Sequence, residues 1–226
     1  MNFTLAGVRA GAQRFAPLAV SVFAYGMVFG MLARQAGLSL TASAAMSLLV
    51  AAGSSQFVAI GMWHAPLPVV SILVTTLVVN LRNVLMGAAI RPYLAALPAR
   101  LRYSMLYVMG DENWALTMRE FEQGGRDSGF FLGSGALSLA AWVSSTVAGY
   151  LAASAIPDPA SFGLDFAFTA VFLALLVGTW KGRTSLLPVI VAAVTSLIAG
   201  HALEGKWYIL IGGLAGSLTG AWRDGT

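Results

Sequence analysis

The sequence predicts an all-α membrane protein: a polytopic bundle of seven or eight transmembrane helices in one domain, residues 1–226. Three observations carry that prediction. Hydrophobic residues make up 58% of the chain and charged residues only 10%, with a mean hydropathy of +0.79, outside the range of soluble domains. The apolar residues fall into runs long enough to cross a bilayer, joined by short polar connections. The alternating short segments of a membrane barrel are absent, so helices are left to satisfy the backbone in lipid. The net charge of +4 is modest, and its basic residues sit in short loops where they orient helices, so no nucleic-acid partner is implied. With no cysteine, the chain has no thiol chemistry.

Helix one is expected over residues 15–32, with Pro17 in its first turn and Gly26 and Gly30 at GxxxG spacing for close packing. No cleavable signal is read at the N-terminus, and Arg9 and Arg14 vote weakly for a cytoplasmic start. Ser39 or Thr41 caps helix two, residues 42–63, which Gly53-Ser54-Ser55-Gln56 interrupts near its middle. Small residues there permit local unwinding or a close-packed notch, and unwinding is tolerated at membrane depth only beside a cavity or protein. Helix three covers residues 66–90 and carries Asn80, Arg82 and Asn83 inside its apolar run. A guanidinium at that depth costs a few kcal/mol unless it finds a partner, and Asp111, Glu112 and Asp165 are the candidates.

Residues 101–118 are the doubtful span: short, broken, re-entrant or interfacial, with Asp111 and Glu112 behind Gly110. Residues 119–128 read as a solvated loop. Helix five (129–155) is rich in Gly, Ser and Ala; helix six (164–179) opens with Asp165, an acid that the helix dipole favours. Helix seven (185–203) and helix eight (207–222) follow, the latter with Gly212, Gly216 and Gly220 on one face. One of the small-residue faces, the glycines of helices one and eight or the small residues of helix five, is expected to dock a partner subunit. A faint echo between residues 38–55 and 184–202 fits an inverted repeat of helices one to three by six to eight, although chance similarity is common in such apolar chains.

An amino-acid zwitterion suits these residues. The Gly53-Ser54-Ser55 segment offers donors to a carboxylate; Gln56, Asn80, Asn83 and Asp165 offer acceptors to an ammonium. Arg82, Asp111 and Glu112 form the buried-charge or coupling group. An intramembrane enzyme is disfavoured, since no GxSxG elbow surrounds Ser54 or Ser55 and His64 and His201 lie at helix ends. No metal-ligand cluster and no cofactor motif is read, and the GxxxxGK[ST] motif of ATP-driven pumps is absent.

The runs AAGSSQFVAIG (51–61), NLRNVLMGAAIRPYL (80–94), GDENWAL (110–116) and LDFAFTAVFLALL (164–176) stand in an order that resembles the AzlC family, the large subunits of bacterial branched-chain amino acid exporters. The resemblance extends over residues 14–222. It implies an inner-membrane, multi-pass permease exporting leucine, isoleucine, valine and methionine with a small AzlD-type membrane subunit. Asn83 stands where many members carry histidine, which leaves that position without a titrating group. The simplest driving force is the proton gradient. The rival expectation is a passive channel or a structural subunit whose transport path lies in a partner.

Overall fold

The computed structural model describes residues 2–154, 173, 176–177, 180, 182–203 and 207–224. These residues form helices and no β-strand. Helix six of the sequence reading, with Asp165, lies outside the described residues.

The first long helix, α1 (Leu5–Gln35), starts ten residues earlier than its apolar run. Thr4 caps it, its hydroxyl accepting from the Gly7 amide at 2.9 Å. Pro17 therefore stands inside the helix rather than in its first turn. Helix α7 (Gly129–Ser154) lies beside α1 and runs parallel to it. Asn2 bonds Arg126 and Ser128 at one end, while the Tyr150 hydroxyl donates to the Leu38 carbonyl at the other. Glycines let the two backbones touch. A Cβ at Gly30 would lie 2.1 Å from the Thr146 carbonyl oxygen, and one at Gly149 would lie 2.0 Å from that of Met27.

Asp127 joins the starts of both helices: its carboxylate accepts from the amides of Thr4 (3.1 Å) and Gly129 (2.8 Å) and from the Thr4 hydroxyl. Partial burial pushes this carboxyl up, but the hydrogen bonds from Thr4, Gly129 and Gly7 outweigh it and hold it below the ordinary aspartate value.

Between α1 and α7 the chain builds two helical hairpins and one further long helix. Helix α2 (Leu40–Val50), capped by Ser39, runs back along α7, with the Ser47 and Thr146 hydroxyls 2.8 Å apart. The chain then turns at Ala51, whose φ of 47° is left-handed, and at Ala52. Helix α3 (Gly53–Gly61) returns towards the end it came from, since Phe57 and Ile60 cluster with Phe29, Leu32, Ala33 and Leu38. The break predicted at Gly53 to Gln56 thus lies two residues earlier, and those four residues form the first turn of α3.

Helix α4 (Val69–Leu94) then runs antiparallel to α7, bringing Ile90 and Leu94 down to Phe131. Its apolar stripe of Leu73, Leu77, Leu81 and Val84 is exposed, as a lipid-facing surface is. From the opposite end α5 (Ala99–Tyr107) rises until the Tyr107 hydroxyl reaches the Leu48 carbonyl. Helix α6 (Asp111–Glu122) descends to place Glu120 against Arg14 at 2.9 Å and Phe121 beside Tyr93. The doubtful span is therefore a broken pair of short helices, and α6 takes in the first residues of the expected loop.

Helices α8 (Arg183–Ala202) and α9 (Trp207–Asp224) pack as a pair. Gly212 lies on Ser196 and Ala192, and Gly216 lies on Ala192. The glycine faces expected to dock a partner are thus covered within the chain: Gly26 and Gly30 by α7, Gly212 and Gly216 by α8. Among the described residues α1, α4, α7 and α8 are long and apolar enough to cross a membrane; α2, α3, α5 and α6 are each too short.

Candidate functional site

The two hairpin tips meet at mid-depth. Arg82 is the fourteenth of the 26 residues of α4, and Trp142 lies equally near the middle of α7. Between them opens a cavity of about 220 Å³ bounded by both tips, Ala51 to Ser54 and Val108 to Glu112, and by faces of α1, α4 and α7. Its walls are apolar at Val22, Phe57, Leu139 and Trp142, and its charged groups are Arg82, Asp111 and Glu112.

Arg82 holds the tips together. One terminal nitrogen pairs with the Asp111 carboxylate at 2.7 Å, and the other donates to the Ser54 hydroxyl. This two-ended grip suits the planar guanidinium fork. Both charged side chains stay open to the cavity, 38% exposed for Arg82 and 47% for Asp111. The Arg82 Nε is buried without a partner.

The amides behind the tips fix their shape. Asn113 accepts from the Gly110 amide at 2.6 Å and donates to the Val108 carbonyl at 3.3 Å, which sets the turn between α5 and α6. Trp114 donates to the Met86 carbonyl at 3.1 Å and fastens α6 to α4. On the other hairpin, Gln56 is fully buried, and its side-chain oxygen accepts from the Trp142 indole. The Ser55 hydroxyl bonds back to the Ala52 carbonyl at 2.9 Å. Asp111 and Glu112 occupy the first turn of α6, where the helix dipole favours negative charge.

Of the residues singled out from sequence, Gly53, Ser54, Arg82, Asn83, Asp111 and Glu112 line this one cavity. Ser55 and Gln56 lie behind it, turned to their own helix and to α7. Asn80 does not line it, and its side-chain oxygen is buried without a partner. The sequence reading missed Tyr25, Ser138 and Trp142, which line the cavity from α1 and α7. Periodicity shows a helix face but not which face looks inward when every face is apolar.

Comparison with known proteins finds a family and relatives that are membrane proteins. The model of the family described as AzlC protein matches residues 17–156. An uncharacterized membrane protein of Archaeoglobus fulgidus is 31% identical over 211 residues, covering 91% of this chain and 90% of its own. One of Haemophilus influenzae is 28% identical over 205 residues, covering 86% and 84%. The inner membrane protein YgaZ of Escherichia coli is 28% identical over 219 residues, covering 92% and 87%. No solved structure matches. With more than half of its length matched by the family model, the chain is a membrane protein belonging to the AzlC family.

Proposed function

We propose that this chain exports branched-chain amino acids (leucine, isoleucine and valine), together with methionine, across the bacterial inner membrane. It acts as the large, multi-pass subunit of a secondary transporter, with a small AzlD-type subunit as its partner and the proton gradient as its driving force. Family membership supports a transporter role. The observation that carries the reading is the mid-depth cavity, in which one guanidinium and two carboxylates face apolar walls. That combination matches a zwitterion with an apolar side chain. Irregular backbone beside a cavity, between half-helices, is how secondary transporters place their substrate sites. Each methylene of the substrate sets only ~1–3 kcal/mol of preference in an apolar pocket, so selection among leucine, isoleucine and valine is loose.

Counterflow of radiolabelled leucine in proteoliposomes tests this, with and without the small subunit. A carrier shows saturable exchange that leucine, isoleucine and valine all drive. Flux that neither saturates nor exchanges would identify a channel instead. No flux from this chain with its partner present would make it a structural subunit.

A further inference from the structure

The two hairpins are inverted copies of one unit. Residues 20–57 and 77–114 align without a gap at a spacing of 57. Helix α2 ends at Val50 and α5 at Tyr107, at matching positions, and the breaks that follow, 51–52 and 108–110, begin together. Gly30 matches Gly87, Arg34 matches Arg91, Ser47 matches Ser104, and Gly53 matches Gly110. Gln56 and Asn113, both fully buried, also match, each followed by an aromatic residue, Phe57 and Trp114. Because α1 and α4 run in opposite directions, the copies enter from opposite ends and meet at their tips.

The copies agree in fold and differ in charge where they meet. Ser54 matches Asp111 and Ser55 matches Glu112, so one tip presents a hydroxyl and the other carboxylates. Arg82 grips the two matched positions, Ser54 and Asp111, at once.

We propose that the substrate binds as a zwitterion by inserting between Arg82 and Asp111. Its carboxylate goes to Arg82 and the Ser54 hydroxyl, and its ammonium goes to Asp111. This rests on the transporter reading above and specifies how that site reads its ligand. The ion pair is an internal stand-in for the ligand: it holds one positive and one negative group at the separation of a single contact and faces the cavity. Insertion exchanges one ion pair for two and leaves the net charge of the site unchanged, so no uncompensated charge enters a poorly hydrated space. The side chain then lies against Val22, Phe57, Leu139 and Trp142. An amine or a carboxylic acid alone satisfies only one tip.

Direct calorimetric titration of the chain co-purified with its small subunit, using leucine, leucinamide and 4-methylpentanoate, tests this. Wild type should bind leucine at least about a hundredfold more tightly than either analogue, in line with the loss of one charged partner. Arg82→Gln should weaken leucine about a hundredfold yet leave leucinamide unchanged or tighter, because Asp111 is freed. Asp111→Asn should weaken leucine equally yet spare 4-methylpentanoate. This crossed pattern cannot arise from general misfolding. If leucine binds wild type but the three ligands weaken in parallel in both variants, or the analogues match leucine on wild type, insertion is wrong and the transporter reading survives. If another α-amino acid replaces leucine and shows the crossed pattern with its own amide and acid, insertion holds and the branched-chain assignment falls. A wild-type complex that binds no amino acid overturns both.

Discussion

The indole N–H of Trp142 donates to the side-chain oxygen of Gln56 across 2.8 Å and fastens the first turn of α3 to the middle of α7. Phe29 and Phe57 pack around the same indole, with ring centroids 5.8 and 6.1 Å away. The Gln56 side-chain nitrogen has no partner, so the bond from Trp142 is all that holds this buried amide. Trp142→Phe should keep the packing and orphan that amide, costing about 1–3 kcal/mol. The check is the melting temperature of purified protein in detergent. Adding Gln56→Leu should recover part of the loss; a double variant less stable than the single one would contradict this role.

Close approach of α1 and α7 depends on glycine. At Gly149 even a methyl group would meet the Met27 carbonyl oxygen at 2.0 Å, and backbone cannot swing aside as a side chain can. Gly149→Ala should cost about 1–3 kcal/mol, the usual scale for overpacking, and lower the yield of monodisperse protein. Gly213 has nothing near it, so Gly213→Ala should be neutral or stabilising. Size-exclusion profiles of the two variants side by side decide the matter.

Asp127 supplies a pH-dependent part of stability. Its folded carboxyl titrates below the ordinary value, so its contribution is full above the unfolded value, about 3.9, and is lost as pH falls through the folded one. The group is largely solvated, which limits the size of the effect. Asp127→Asn should therefore lower the melting temperature at pH 7, by the low end of the ~0.5–2 kcal/mol of a helix cap, and lower it by less at pH 3. Melting curves at both values test the sign.

Arg82 needs both ends of its fork, one for Asp111 and one for Ser54. Lysine offers a point charge that keeps one contact at a time. Arg82→Lys should preserve insertion and yield while cutting leucine counterflow by about tenfold, the effect of losing roughly 1.4 kcal/mol. Wild-type flux in this variant would remove Arg82 from the site.

The sequence displays the long helices, the Ser39 cap and the need of Arg82 for a carboxylate, because each follows from local chemistry. A charge within an apolar run demands a partner, and Asp111 was among the three candidates. The direction of α3 after its break was not legible. A Gly-Ser turn permits a continued helix or a reversal, and only the contacts of Ile60 and Phe57 with the far end of α1 separate the two. The early start of α1 was hidden because Arg9 and Arg14 look like the end of a span, whereas Glu120 and the cap at Thr4 extend the helix past them. The copy relation between the hairpins was obscured by low identity, since matched positions face different neighbours; the breaks and buried amides preserve it.

The central claim is that substrate passes between the hairpin tips beside Ser54. The chain has no cysteine, so Ser54→Cys introduces a single thiol at the cavity wall. The decisive measurement is the rate at which a small methanethiosulfonate reagent modifies this variant in proteoliposomes, with and without leucine, followed by leucine counterflow. Leucine should slow modification in proportion to occupancy, and modification should abolish counterflow. Modification at an unchanged rate in saturating leucine, with counterflow intact afterwards, would contradict the claim.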